Sequence, residues 1–355
     1  MEHEQDFQEL GGWPRVLARL IDGESLEDFE AECVMGEVFT GRATPAQTGA
    51  FLTALRIKGE SIDEMVGLVR SMLTHAEALD LKQDSLDVVG TGGDRLRSIN
   101  VSTIAAFIAA GAGAHVCKHG NRAASSSVGT ADVLEALGVA IELGPSGVAK
   151  CISEVGMGFC FAQRFHPAMR FAGPVRAQLG VPTIFNFLGP LANPARSRFQ
   201  LVGVSDPAMA PKMAAVLGRN GSKHAMVVYA DDGLDELSVT SSSTVLELVG
   251  DGSGEFDIQT WRLDPGQYGF SLSKMQDLLG GDAAFNARAI RLVLEGERSA
   301  RRDISVLNAG AALFVAGIAQ NLESGIELAG ASIDDGKAAA TLDDLVRVSQ
   351  QAFNS

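Results

Sequence analysis

With 355 residues the chain is long for one domain and comfortable for two. Hydrophobic residues make up 46% and charged residues 21%, which leaves ample apolar area for a core. The net charge of −15 argues against a general nucleic-acid-binding surface, which needs a basic face. No apolar run reaches the roughly 18–20 residues of a membrane span, and the acidic start MEHEQDFQEL lacks the basic end and apolar stretch of a signal peptide. Cys33, Cys117, Cys151 and Cys160 form no CxxC pair and no zinc spacing, so small buried thiols in a reducing, cytoplasmic compartment are expected.

The first 80 or so residues read as helices only. Thr44-Pro45-Ala46-Gln47 combines an N-cap, a proline at the first helical position and a capping-box glutamine ahead of Phe51, Leu52 and Leu55. Ser61-Ile62-Asp63-Glu64 repeats the capping box, and Ile62, Met65, Val66, Val69, Met72 and Leu73 follow at helical spacing. From Leu86 the character changes. Leu86–Val89 reads as a short strand running into Gly90-Thr91-Gly92-Gly93-Asp94, then an apolar helix spans about Thr103 to Ala112, then a second strand His115–Lys118. That is a βαβ unit with a glycine-rich turn. Further strands are expected at Val139–Glu142, Gly158–Phe161, Leu201–Val204, Ala225–Tyr229 and Thr244–Val249, with helices dominating from about Leu272. The whole is a small helical domain followed by a mixed α/β domain.

Four blocks carry candidate chemistry. Three glycines in four positions let the backbone turn tightly and aim N–H groups at an anion, although a purely structural turn reads the same way. The loop has neither the GK[ST] ending of a P-loop nor G-x-G-x-x-G spacing. Asn100-Val101-Ser102-Thr103 opens the next helix, with hydroxyls suited to an N-cap or to a phosphate at the positive helix end. Lys118-His119-Gly120-Asn121-Arg122-Ala123-Ala124-Ser125-Ser126 follows a strand end. Between Leu86 and Ser126 four basic residues (Arg95, Arg97, Lys118, Arg122) face two acidic ones (Asp87, Asp94), a local 4 − 2 = +2 within a chain of −15. Basic groups gathered with hydroxyls and glycines point to anion binding. Asp232-Gly233-Leu234-Asp235-Glu236 places adjacent carboxylates after a strand, either as a solvated turn or as ligands for a hard cation. His166-Pro167 and Arg176 complete the set, with arginine's planar fork suited to a carboxylate.

Taken in order, GTGGD, N-x-ST, KHGNRAASS, FHPAM, TIFNFLGPLANPA and DGLDELS resemble the anthranilate phosphoribosyltransferases, closely from about Leu86 to Val239 and more loosely over both ends. KHGNR alone is shared with pyrimidine nucleoside phosphorylases; the ensemble is far more specific. The resemblance implies a nucleoside-phosphorylase-like α/β fold. A small helical domain, 1–82, joined by a helical segment near 175–200, would be hinged to a larger α/β phosphoribosyl pyrophosphate-binding domain with a mixed central sheet, 83–355. It implies transfer of the 5-phosphoribosyl group from phosphoribosyl pyrophosphate to the amine of anthranilate, as in tryptophan biosynthesis, with Mg²⁺ as cofactor and a homodimer as assembly.

By motif, Gly90, Gly92, Gly93, Asp94, Asn100, Ser102, Thr103, Lys118, Gly120 and Ser126 would surround phosphoribosyl pyrophosphate. Ser102, Asp235 and Glu236 would hold magnesium. Asn121 and Arg176 would meet the acceptor, with His119 and His166 lining its pocket, and Lys118, Asn121 and Arg176 would carry catalysis. The chain departs from the family at three places. Arg95-Leu96-Arg97-Ser98 stands where the loop usually continues Gly-x-Asn-Thr, Tyr229-Ala230 stands where His-Gly usually precedes the acidic motif, and Met169 occupies a position where some relatives carry Tyr. The departures keep open a related enzyme of secondary metabolism with another acceptor. A non-catalytic nucleic-acid-binding homologue is the alternative of another class, opposed by the Asp235–Glu236 pair and the negative net charge.

Overall fold

Five helices, Glu2–Glu9, Gly12–Ile21, Asp28–Phe39, Pro45–Lys58 and Ile62–Thr74, open the chain in the computed structural model, which describes residues 2–93, 96–123 and 128–355. Both expected capping boxes close. Thr44 Oγ1 accepts from Gln47 N at 3.2 Å while Gln47 Oε1 accepts from Thr44 N at 2.8 Å. Ser61 and Glu64 exchange the same pair of bonds at 3.1 and 2.7 Å. Each such cap stabilises a helix by about 1 kcal/mol. The buried Glu64 carboxylate also accepts from Leu26 N at 3.0 Å and Lys58 Nζ at 2.9 Å, so one side chain ties three parts of the bundle together.

The α/β domain is built on one seven-stranded sheet: β1 (Leu86–Gly90), β2 (Val116–Gly120), β3 (Met157–Phe161), β4 (Phe199–Gly203), β5 (His224–Ala230), β6 (Ser243–Gly250) and β7 (Phe256–Leu263). Their spatial order is β3-β2-β1-β4-β5-β6-β7. The first five strands run parallel, and β6 and β7 add an antiparallel hairpin at one edge. Two strand expectations need correction. Val139–Glu142 is an irregular segment, not a strand: Ala140 N donates to the Ser349 hydroxyl on the helix Lys337–Phe353 instead of joining a ladder. The strand β7 was not anticipated, because Asp257, Gln259, Thr260 and Arg262 make it polar and largely exposed, as an edge strand tolerates.

Alternation along the strands divides the core in two. Leu201, Met226 and Val228 pack beneath helices Val101–Gly111 and Ala300–Val315, while Val202, Ala225 and Val227 face Ala210–Arg219 and the N-terminal bundle. Ala172, Phe185 and Leu188, from the later helices Met169–Leu179 and Phe185–Leu188, join the apolar cluster of the N-terminal helices. The chain thus returns to the bundle between β3 and β4, and a cleft is left where the parallel strands end. Among the described residues, no helix is long and apolar enough to cross a membrane.

Candidate active site

A cavity of about 500 Å³ occupies that cleft, where α/β sheets commonly bind ligands. One wall stands on the ends of β1, β4 and β5. A Cβ added at Gly90 would lie 2.6 Å from Asp235 Oδ2, and one at Gly203 would lie 1.5 Å from the Asp235 carbonyl oxygen. Only glycine lets the acidic turn rest on these strand ends. Gly92 and Gly93 then take consecutive left-handed conformations at φ +65 and +86. The Gly92 amide donates to Asp235 Oδ2 at 2.7 Å, so this part of the loop grips the acidic turn. Ser205 braces it, its hydroxyl accepting from Thr91 Oγ1 at 3.2 Å and donating to Gly92 O at 3.0 Å, while its N–H donates to Thr91 Oγ1 at 3.1 Å.

The acidic turn is held from three further directions. Asp232 accepts from Leu234 N at 3.1 Å and from the Ser238 and Thr240 hydroxyls. Fully buried Asn308, on the helix Ala300–Val315, clamps Leu237, accepting from its N–H at 3.0 Å and donating to its carbonyl at 2.8 Å. Ser102 N donates to Glu236 Oε1 at 3.1 Å. Asp235 and Glu236 are therefore buried but fixed in direction. Lys118 reaches the same corner: its buried ammonium donates to Val88 O and, at 3.2 Å, to Ser102 Oγ. Burial lowers its pKa, opposed by the nearby charges of Asp87 and Glu236.

The other wall comes from β2, the segment after β3 and the returning helices. His119 Nδ1 donates to Gly189 O at 3.2 Å, which leaves Nε2 as an unpartnered buried acceptor. The His166 ring lies 5.1 Å away, and its Nε2 is likewise buried without a partner. Burial pushes the imidazole of His119 down to about 3, helped by His166, and that of His166 down to about 4. Both rings are neutral at physiological pH. Arg176, in the last turn of Met169–Leu179, lies 5.0 Å over the Phe185 ring and has no carboxylate partner among the described residues. Burial lowers its pKa.

The cavity thus brings together Gly90, Gly92, Gly93, Asn100, Ser102, Lys118, His119, Gly120, Asn121, His166, Arg176, Asp235 and Glu236. Asp94 and Ser126, like Arg95, lie outside the described residues. Thr103 sits fully buried in the helix Val101–Gly111, next to Ser102, and its Oγ1 has no partner among the described residues. Asn100 is braced at both ends, donating to Val128 O at 3.3 Å and accepting from Asn286 at 3.0 Å. Arg122 is neutralised by Asp132 and Glu135 at 3.0 and 2.9 Å, so it adds little to the positive field. Arg97, by contrast, lines the cavity at φ 54 with its side chain unpartnered among the described residues. Asn186, Gly189 and Pro190 also line it; they sit in TIFNFLGPLANPA, whose motif pointed to the site without naming them.

Among the described residues no group of three or more histidine, cysteine or acidic side chains could enclose a metal ion. Two carboxylates and the Ser102 hydroxyl nonetheless meet on one wall, a donor set that suits a hard cation sharing its oxygens with a phosphate ligand.

Residues 82–339 match the α/β domain of the glycosyl transferase family, and residues 14–76 match its helical bundle domain. An anthranilate phosphoribosyltransferase of Thermomicrobium roseum is 50% identical over 335 residues, 94% of this chain and 95% of that protein. The crystal structure of the Thermus thermophilus enzyme superposes with a TM-score of 0.88 at 40% identity, covering 94% of this chain and 99% of that one. The Saccharomyces cerevisiae enzyme in complex with phosphoribosyl pyrophosphate and Mg gives 0.80 at 27% identity, covering 91% and 92%; the same enzyme has been solved with 4-fluoroanthranilate. Fold, cavity and relatives agree: the chain belongs to the anthranilate phosphoribosyltransferase family.

Proposed function

We propose that this chain transfers the 5-phosphoribosyl group of phosphoribosyl pyrophosphate to the amine of anthranilate, releasing pyrophosphate in tryptophan biosynthesis. The observation that carries the reading is one cavity with two chemically distinct walls. A braced carboxylate pair with Ser102 stands on one, and an arginine without a carboxylate partner stands beside two neutral histidines on the other. Gly93, Asn100 and Lys118 hold the pyrophosphate, and Gly90, Gly92 and Gly120 let backbone approach it. Asp94 and Ser126 are assigned here by motif. Thr103, beside Ser102 at the start of the same helix, is likewise assigned by motif. Ser102, Asp235 and Glu236 would hold Mg²⁺, which when bound neutralises charge on the leaving group.

As pyrophosphate departs, positive charge builds on the ribose, and Lys118 stabilises the negative charge left behind. Arg176 anchors the acceptor carboxylate, while Asn121 and the Nε2 atoms of His119 and His166 orient the amine toward C1′. Neutral imidazoles accept N–H bonds without adding positive charge beside a developing cation. Met169 and Arg97, both cavity-lining departures from the family, support a second reading in which another aromatic amine is preferred. Pyrophosphate release from phosphoribosyl pyrophosphate, measured with anthranilate and a panel of aromatic amines, tests both. No release with any amine would remove the assignment.

The domain division 1–82 and 83–355 is supported by the separate matches over 14–76 and 82–339, and attachment of the segment near 175–200 to the helical part by the packing of Ile184, Phe185, Phe187, Leu188 and Leu191 in the apolar cluster of the N-terminal helices. A homodimer through the helical domain is supported by exposed Ile21, Phe29 and Ile57 on that domain. Four buried free thiols support a cytoplasmic location.

A further inference from the structure

A second cavity, of about 400 Å³, opens at the other end of the sheet, where β4 and β5 begin, between the helical bundle and the α/β domain. It shares no lining residue with the active-site cavity. Four guanidinium groups face it, those of Arg70, Arg196, Arg198 and Arg219, against one lining carboxylate, Glu32. Two of the four are already neutralised, because Arg70 and Arg219 share Asp28 at 2.9 Å and Arg219 also pairs with Asp63. The other two have no carboxylate. Arg198 donates to the backbone carbonyls of Gly221 and Gly252. Arg196 is held at φ 49 and exposed, its N–H donating to Asn193 O at 2.8 Å and its side chain without a partner among the described residues.

Two amides add to this lining. Arg70 Nε can only donate, and it bonds Asn220 Oδ1 at 3.3 Å, which fixes that amide with Nδ2 on the other side. Nδ2 is buried there with no partner. Gln200, 6% exposed, lines the cavity and accepts the Ser222 hydroxyl on Oε1 at 2.7 Å, a bond that does not use its NH₂. Among the described residues the lining carries more donors than carboxylates, and a buried donor left without an acceptor is destabilising.

We propose that this cavity is a second ligand site, distinct from the active site, that takes a phosphate or phosphate monoester between Arg196, Arg198, Gln200 and Asn220. A phosphate offers three or more acceptor oxygens to these four groups, where a carboxylate offers two. The four groups are presented by the folded chain at the start of β4 and the end of the helix Ala210–Arg219, so a ligand bound there favours the folded state and raises the melting temperature.

Calorimetric titration of inorganic phosphate into the full chain, beside the variants Arg196→Glu and Gln200→Leu, tests the site. Arg196→Glu reverses an unpartnered exposed charge, and phosphate affinity at one site is expected to fall at least about tenfold, with the phosphate-induced rise in melting temperature reduced. Phosphoribosyl transfer without added phosphate stays unchanged. Gln200→Leu removes a neutral donor and is expected to weaken binding as well; full retention there would reduce the arginine effect to general electrostatics and overturn the site. Equal phosphate affinity in all three proteins, or no binding by the wild type, also overturns it. Glycerol phosphate binding more tightly than inorganic phosphate identifies a monoester as the ligand, and the reverse order identifies the free ion. Acetate binding as tightly as either defeats the phosphate assignment.

Discussion

The two walls of the active-site cavity are built by different means. On the β1–β4–β5 wall the functional carboxylates are fixed by backbone, Asp235 by the Gly92 amide and the glycine at 203 and Glu236 by Ser102 N, with the backbone of neighbouring Leu237 clamped by the Asn308 side chain. On the β2–β3 wall the working groups are side-chain ends, the Nε2 atoms of two histidines and the guanidinium of Arg176, with few protein bonds of their own. The difference matches the demands of transfer. A highly charged leaving group needs ligands that do not reorganise as charge shifts, whereas an acceptor must enter and the product must leave. Changes in the first wall should therefore act on turnover, and changes in the second on acceptor affinity.

The largest effect is expected from Asp235→Asn with Glu236→Gln. Turnover should fall at least about a hundredfold and its dependence on Mg²⁺ should flatten, as measured by pyrophosphate release across a magnesium titration. Full activity in that variant would erase the contrast between the walls. Arg176→Ala comes next. Loss of a charge-assisted bond of roughly 1.5–3 kcal/mol should raise KM for anthranilate by about ten- to a hundredfold. KM for phosphoribosyl pyrophosphate should hardly move, and an equal rise for both substrates would give Arg176 a structural role.

Asn308→Ala sharpens the comparison from outside the cavity. It leaves the N–H and carbonyl of Leu237 buried and unpaired, which costs about 1–3 kcal/mol of stability. If the clamp aims the acidic pair, turnover should fall while KM for anthranilate stays put; a loss of melting temperature alone would leave Asn308 a purely structural clamp.

The histidine wall has a pH signature. The folded pKa values of His119 and His166, about 3 and about 4, lie below the unfolded value of about 6.5. The unfolded chain therefore binds more protons below that value, and stability present above pH 6.5 should drain away as pH falls toward 4. Asp87 acts oppositely: burial raises it to about 6, so the folded chain takes its proton first and gains some stability over the same range. Two groups outweigh one, and the melting temperature should fall on acidification. His119→Gln should flatten that slope. A slope unchanged in His119→Gln would mean that this ring is not held neutral by the fold.

Much of this was legible in the sequence, and the failures have physical causes. Capping boxes and parallel strands are local signals, and β1 through β6 lie close to where apolar runs and glycines place them. Val139–Glu142 carries the same alternation, but a serine 209 residues ahead in sequence satisfies its backbone, which no local pattern reveals. The motifs located the cavity and its lining. They did not reveal that Thr103, one helical position from Ser102, is fully buried. Nor did they reveal that the Gly92 amide serves Asp235, or that Asn308 lies 71 residues from the backbone it holds.

The smallest effect tests the one position on the first wall where backbone bracing gives way to a side chain. Arg97 holds φ 54, a conformation that disfavours a residue with a Cβ and suits asparagine better. Its carbonyl is tied down by Gly280 N at 2.8 Å and the neighbouring Ser98 pairs with Leu279, so the backbone there is imposed by the fold. Arg97 lines the cavity, and its exposed side chain, without a partner among the described residues, can meet a phosphate oxygen there. Arg97→Asn should therefore relieve strain and stabilise the fold by up to about 1 kcal/mol, read as a small rise in melting temperature. The same change should raise KM for phosphoribosyl pyrophosphate a few-fold and make it less sensitive to salt, because one exposed charge contact is gone. A rise in stability with unchanged KM and salt dependence would mean that Arg97 faces the cavity without serving it. Anthranilate transfer that appears only after the substitution would show that this side chain blocks the native pocket, and would favour a different acceptor for the natural chain.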